Sequence, residues 1–143
     1  MTDYINEFCM HDATCGELRK SDVGREVTLC GWAWHNRDHG GLIFCDLRDR
    51  TGYTQVVVDP DCVPEEDFHK AEHLGREYAL QITGTVRDRG ADAVNPNMAT
   101  GEIEVLASKV NVLNESVPPP FSIEDGIETD EITRMKWRYM DLR

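Results

Sequence analysis

The segment that decides the fold is HGGLIFCDLRDRTGYTQVVV, residues 39–58. A pair of glycines follows its first residue, and it contains the turn signal RTG at 50–52. Between these turns, apolar and polar side chains alternate. Alternation with a period of two is typical of strands that bury one face, so the segment predicts two consecutive strands joined by tight turns.

The outer face of the first of these strands carries an aromatic ring among charged groups. An apolar set that suits a core is formed by Ile43, Cys45 and Leu47. The opposite parity consists of Phe44, Asp46 and Arg48. A single exposed ring is common on protein surfaces, but such a ring can also receive a ligand. The neighbouring strands are needed to choose between these interpretations.

The flanking sequence predicts three more strands and one helix. Upstream, residues 26–36 (EVTLCGWAWHN) alternate, and Gly31 permits a bend. Downstream, residues 64–77 (PEEDFHKAEHLGRE) have a proline in the first turn and acidic groups at the positive N-terminal end, which favours a helix. Two further alternating segments follow, at 77–89 and 102–114.

Three strands, a helix and two strands make up the element order of an OB-fold. We therefore predict an all-β domain with one short helix: a five-stranded Greek-key barrel with the helix between strands 3 and 4. An open antiparallel sheet with one covering helix has the same order and remains an alternative. The predicted domains are an N-terminal extension with a short helical turn (1–25), the barrel (26–113), and a Pro-rich acidic hinge with the start of a further domain (114–143).

The composition of the chain changes after the barrel. Residues 114–133 contain six acidic residues, no basic residue and three consecutive prolines, which is typical of a semi-rigid linker. Residues 134–143 (RMKWRYMDLR) are basic and aromatic and stop within a new amphipathic element. We therefore expect the sequence to be a piece of a longer protein.

Composition also limits the class of protein. No apolar run approaches the roughly 20 residues that a membrane-spanning helix needs, and the N-terminus lacks a secretory signal, so a cytoplasmic protein without membrane contact is expected. The five cysteines are odd in number and lack C-x-x-C spacing, which argues against a disulfide framework and a zinc knuckle. Residues 69–73 (HKAEH) match a zinc pattern, but no third ligand is evident, so no metal site is expected.

The net charge of −12 opposes non-specific binding of nucleic acid, which depends on neutralising phosphates. Strand parity nevertheless places groups that suit unpaired bases on one polar face. Phe44 can stack on a base, while Gln55 and Glu104 can meet base-edge donors and acceptors. Four arginines can meet phosphates: Arg37, Arg48, Arg87 and Arg89. If the bases carry the specificity, few phosphates need to be neutralised.

Four long motifs resemble the N-terminal part of bacterial-type aspartyl-tRNA synthetases. They are VTLCGWAWHNRDHGGLIFCDLRDRTGYTQVVVDPD, QITGTVRDR, NMATGEIEVLAS and RMKWRYMDLR. The resemblance runs from about Cys15 to Arg143 and implies an OB-fold that binds the tRNA anticodon. It also implies a following class II catalytic domain that these residues do not contain.

The resemblance implies an enzyme only for the full-length protein. That protein would be a homodimeric aspartate-tRNA ligase that activates aspartate with ATP and Mg²⁺ and transfers it to the terminal adenosine of tRNA. The segment itself would hold no catalytic residue and no cofactor, and its partner would be the anticodon stem-loop. The alternative is a free-standing OB-fold module that binds single-stranded nucleic acid or a protein partner.

The resemblance also implies roles for individual residues. Phe44 matches the stacking phenylalanine of the family, Gln55 its base-recognising glutamine and Glu104 its strand-five glutamate. The arginines that approach the anticodon stem-loop correspond to Arg37, Arg87 and Arg89. Residues 34–36 (WHN) replace an arginine run of the family, which predicts fewer phosphate contacts.

His39 occupies a position where leucine is usual in relatives that charge only tRNA(Asp). In this respect the chain resembles relatives that charge both tRNA(Asp) and tRNA(Asn). The two anticodons differ at the third base, so a loop contact near that base could relax the choice between them. His39 is therefore predicted to affect anticodon discrimination.

Overall fold

The computed structural model describes residues 11–123 and 128–142. The strands and helices are β1 (Glu26–His39), β2 (Leu42–Asp49), β3 (Gly52–Val58), α1 (Glu65–Glu72), β4 (Ala79–Asp88), β5 (Ile103–Asn114), α2 (Glu131–Lys136) and α3 (Arg138–Asp141). Two 3-10 turns lie at Lys20–Asp22 and Ala91–Ala93. None of the helices within the described ranges is long and apolar enough to span a bilayer.

The five strands close into a barrel in the order β1-β2-β3-β5-β4, with β1 paired to β4. All neighbouring strands are antiparallel except β3 and β5, which pair in parallel at Val56↔Val105 and Val57↔Leu106. The predicted OB-fold with a helix between the third and fourth strands is confirmed, and closure excludes the open sheet.

The predicted inward parity of the strands forms the core. In β2 the buried residues are Ile43, Cys45 and Leu47, each no more than 4% exposed. Val56 and Val58 of β3 also belong to the core, although their neighbours Gln55 and Val57 on the other face are buried as well, and burial alternates again along β4. Each fully buried side chain of this size contributes about 1.5–3 kcal/mol, so these alternating positions fix which face of each strand points outward.

Two predicted boundaries differ from the structure. β1 continues to His39 because Gly40 and Gly41, with φ of +64° and +84°, make the two-residue turn into β2. Helix α1 ends at Glu72 instead of residue 77. Glu77 lies in a turn with a φ of +66°, which a helix cannot contain, and its N–H donates to the carbonyl oxygen of Ala33 at 2.7 Å, which joins this segment to β1 before β4 begins.

Residues 13–18 of the predicted N-terminal extension pack against the barrel, whereas residues 1–10 lie outside the described ranges. Ala13, Cys15 and Leu18 are buried in the core. Asp49 holds this segment: one carboxylate oxygen accepts from the Cys15 N–H at 2.9 Å and the other from the Thr51 N–H at 2.7 Å. Burial alone would raise the pKa of the Asp49 carboxyl, but the hydrogen bonds from Thr51 and Cys15 have the larger effect. The pKa of Asp49 is therefore lower than its usual value.

Gly31 allows a close approach between β1 and β2. A Cβ atom at this position would lie 2.5 Å from the carbonyl oxygen of Arg48. We expect Gly31→Ala to lower the free energy of unfolding by about 1–3 kcal/mol, the usual cost of overpacking. The gain from a less flexible unfolded chain, about 0.4–1 kcal/mol, is smaller. Urea unfolding measures the change, and Thr85→Ala on an exposed position of β4 is the control. A neutral or stabilising Gly31→Ala would contradict the close approach.

We expect Asp49→Asn to destabilise the domain at neutral pH by about 1 kcal/mol, because a charged acceptor of three hydrogen bonds is replaced by a neutral one. The folded-state pKa of Asp49 is lowered, so its contribution is complete above the unfolded value of about 3.9 and is lost as the pH falls through the folded value. The difference between wild type and variant should therefore close in acid. Urea unfolding between pH 7 and pH 3 tests this, with Asp61→Asn at an exposed position as the control. A difference in the free energy of unfolding between wild type and Asp49→Asn that grows as the pH falls would contradict the prediction.

Candidate nucleic-acid interface

Four side chains on the outer wall of the barrel form a continuous chain of hydrogen bonds. Arg87 Nε donates to Glu104 Oε1 at 2.9 Å, and Gln55 Nε2 donates to Glu104 Oε2 at 3.0 Å. Arg37 Nη2 donates to Gln55 Oε1 at 3.4 Å. Register explains the juxtaposition, since Arg87 and Glu104 are cross-strand partners in β4 and β5, while Gln55 lies on β3 next to β5. The chain therefore links β1, β3, β5 and β4.

The centre of this chain is unusually buried for polar groups on an outer face. Gln55 is 9% exposed and Glu104 is 8% exposed. Both oxygens of the carboxylate and both ends of the amide have partners, which offsets the cost of removing them from water. A linked network of this kind holds each side chain in one orientation. The result is a fixed pattern of acceptors and donors, as binding to a base edge requires.

Phe44 lies beside this network on the same face. Its cross-strand partners are Arg37 on β1 and Val57 on β3, so Gln55 is its diagonal neighbour across the β2–β3 pair. The ring is half-buried and is not among the hydrophobic side chains that pack against the core. Diagonal neighbours lie about 7–8 Å apart, which brings an aromatic platform and an amide within the span of one nucleobase.

A bulge in β1 brings Arg37 to this face. The register between β1 and β2 shifts between Ala33 and Asn36, so that one extra residue stands opposite β2. Trp32 pairs with Arg48 before the bulge, and Arg37 pairs with Phe44 after it. Strict alternation from Trp32 would have turned Arg37 away from the outer face. The bulge therefore adds a guanidinium beside Gln55, and it has no clear signal in the sequence.

Arg89 lies at the edge of the network and is partly buried. Its Nε donates to the carbonyl oxygen of Ile103 at 2.8 Å. Burial lowers the pKa of this guanidinium, while Glu104 and Asp46 raise it. An arginine remains protonated throughout, so Arg89 adds a fixed positive charge behind the carboxylate of Glu104.

The structure does not bring the other two predicted residues into the network. Arg48 Nη2 lies 2.7 Å from Glu77 Oε1, and its guanidinium carbon lies 5.4 Å from the centroid of Trp34. This ion pair is largely buried, which commits the Arg48 charge to the barrel rather than to a ligand. His39 is exposed at the end of β1, paired with Leu42 beside the glycine turn. It flanks the Phe44 side of the network without touching it.

Asp46 extends the network toward β1 and was not assigned a role from the sequence. It is the cross-strand partner of Gln55, and its Oδ2 lies 3.6 Å from Nδ1 of His35 in the bulge. One row of polar groups thus crosses all five strands: Arg87, Glu104, Gln55, Asp46 and His35. Such a row can contact several consecutive unpaired bases of one strand.

Comparisons with known proteins also indicate an OB-fold that binds nucleic acid. A family model described as an OB-fold nucleic acid binding domain matches residues 27–113. The chain is 54% identical over 129 residues to an aspartate–tRNA(Asp/Asn) ligase of Moorella thermoacetica, covering 90% of this chain and 21% of the relative. It is 53% identical over 131 residues to the ligase of the same name from Oleidesulfovibrio alaskensis, covering 91% and 21%.

Among solved structures, the chain is similar to asparaginyl-tRNA synthetase from Pyrococcus horikoshii complexed with asparaginyl-adenylate. The TM-score is 0.77 at 31% identity, and the match covers 94% of this chain and 29% of the other. The chain therefore spans about a fifth of the length of the curated relatives that it matches. Its counterpart in each relative is one part of a longer protein.

Proposed function

The chain belongs to the family of OB-fold nucleic acid binding domains, and from this premise we propose that it is the anticodon-binding domain of an aspartate-tRNA ligase. The observation that carries the proposal is the fixed row of Gln55 and Glu104 beside the half-buried ring of Phe44. The similarity to aspartate–tRNA(Asp/Asn) ligases indicates that the RNA bound by this row would be a tRNA anticodon.

Each side chain of the row has a distinct part in the proposed recognition. Phe44 stacks on one unpaired base, a contact worth about 1–3 kcal/mol. Gln55 and Glu104 face base edges, where the carboxylate accepts from an amino group and the amide can both donate and accept. Arg37, Arg87 and Arg89 face the phosphates. The bases therefore carry most of the specificity.

The acidic composition fits this division of roles. With a net charge of −12, the chain repels polyanions that offer only phosphates. A stem-loop that presents unpaired bases gains stacking and base-edge contacts in addition to the local arginines. We infer that the domain binds weakly to duplex RNA and discriminates by the loop.

The longer protein would carry out the chemistry elsewhere. It would aspartylate tRNA in the cytoplasm as a homodimer, using ATP and Mg²⁺ at a site outside these 143 residues. The barrel and the predicted hinge at 114–143 would orient the acceptor end of the tRNA toward that site. Residues 124–127 of the hinge lie outside the described ranges.

We further propose that His39 relaxes discrimination between tRNA(Asp) and tRNA(Asn). His39 is exposed beside the Gly40–Gly41 turn and lies next to Phe44, and it is not one of the four side chains of the hydrogen-bonded network. The full-length enzyme should charge both tRNAs, and His39→Leu should reduce charging of tRNA(Asn) more than that of tRNA(Asp). Aminoacylation of the two purified tRNAs measures this; charging of tRNA(Asp) alone by the wild type would refute it.

The stacking contact predicts the effect of removing the ring. We expect Phe44→Ala to weaken binding of the chain to an anticodon stem-loop of tRNA(Asp) by about 5- to 150-fold, the equivalent of about 1–3 kcal/mol. Phe44→Trp should retain most of the affinity, because it keeps an aromatic platform. Fluorescence anisotropy at one fixed salt concentration measures the dissociation constants.

Tyr139→Ala removes an exposed ring far along the chain, on α3, and serves as the control. Unchanged affinity of Phe44→Ala would contradict the proposed site. Equal affinity for the stem-loop and for an unstructured RNA of the same length would instead favour a free-standing single-strand-binding module.

A further inference from the structure

The bulge in β1 presents a second aromatic surface next to the row of base-binding groups. The rings of Trp34 and His35 stack with centroids 4.7 Å apart and planes 25° from parallel. The edge of Tyr53 packs against Trp34 at 5.1 Å, and Arg48 braces the same indole. Trp34 is half-buried by these contacts, whereas the His35 side chain remains 52% exposed. The stack therefore ends in an imidazole at the surface.

This surface is continuous with the proposed anticodon face. His35 contacts Asp46, Asp46 is the cross-strand partner of Gln55, and Gln55 bonds Glu104. Neighbouring strands lie about 4.8 Å apart, so His35 and Gln55 are separated by only two strand spacings. A strand of RNA whose base meets Gln55 passes within reach of His35.

The charges around the stack suit a nucleotide. Trp34 and His35 line a surface groove together with Arg37, Asp46 and Arg76. The two guanidinium groups can meet phosphates, and the carboxylate can accept from the exocyclic amino group of a base. Arg48 adds no net charge, because it is paired with Glu77. An apolar peptide would use the rings but would leave these charged groups unmatched.

We propose that the Trp34–His35 pair is a second stacking subsite, which takes one further unpaired nucleotide of the same loop, next to the bases bound at Phe44 and Gln55. Arg37 and Arg76 face the phosphates of this nucleotide, and Asp46 favours a base with an amino group over uracil. The inference rests on the proposed function, since it assigns an additional contact to the same RNA.

A cycle of protein and RNA changes tests the subsite. The probes are the anticodon stem-loop of tRNA(Asp) and versions of it that carry an abasic nucleotide at one loop position flanking the anticodon. We expect His35→Ala to weaken binding of the intact stem-loop about 5- to 30-fold, less than a full stack because Trp34 remains. One abasic probe should bind the wild type more weakly than the intact stem-loop does. His35→Ala should weaken binding of that probe by little more, because the contact that the substitution removes is already absent; direct contact produces this coupling.

Controls separate this inference from the function on which it rests. His35→Phe should bind the intact probe as the wild type does, and His69→Ala removes another exposed histidine, on α1, without effect. If Phe44→Ala weakens binding but His35→Ala matches His69→Ala, or no flanking position couples to His35, the second subsite is wrong and the proposed function stands. If Phe44→Ala has no effect either, the proposed function fails and the subsite with it. Far-UV circular dichroism of each variant excludes loss of the fold as the cause.

Discussion

The parallel contact between β3 and β5 is the constraint on which the rest of the structure depends. It joins strands that are far apart in the sequence through Val56↔Val105 and Val57↔Leu106, and it closes the barrel. Val56, Val57 and Val105 are fully buried, so the burial of apolar surface on both faces of the sheet favours closure. Closure also places Gln55 against Glu104, 49 residues later in the sequence, at 3.0 Å. The same apolar contacts that complete the fold therefore assemble the central pair of the candidate site.

The site exists before any ligand arrives, and this has an energetic reason. Removing one partner from a buried hydrogen-bonded pair costs about 1–3 kcal/mol, which applies to the buried pair Gln55 and Glu104. The more exposed Arg37 and Arg87 add hydrogen bonds at the two ends of this pair. A base that meets this arrangement does not have to order the side chains first. Preorganisation of this kind lowers the entropic cost of binding and makes the wrong donor–acceptor pattern costly. In the proposed function, specificity would therefore come from the same hydrogen bonds that offset the burial of Gln55 and Glu104.

The sequence predicted the parts of the site that lie on regular strands. Successive side chains of a strand point to opposite faces of the sheet. In β2, β3 and β5 this alternation alone predicted that Phe44, Gln55 and Glu104 lie on the outer face. It could not place Arg37, since the extra residue in β1 reverses parity from that point on and bulges have no strong local signature. It also could not show that Arg48 is committed to Glu77, a residue 29 positions away whose contact depends on tertiary packing.

The bulge has a further consequence for how an acidic domain can bind RNA. A regular β1 would alternate its polar groups, whereas the extra residue lets Trp34, His35 and Arg37 all stand on the Phe44 side of the barrel. Aromatic rings attract bases without adding positive charge, and their contribution does not weaken with salt as phosphate contacts do. A surface built in this way keeps the chain at a net charge of −12 and still offers a continuous path for an unpaired strand. Because phosphate-only ligands would gain little from such a path, the proposed function implies that the acidic composition favours loops over duplexes.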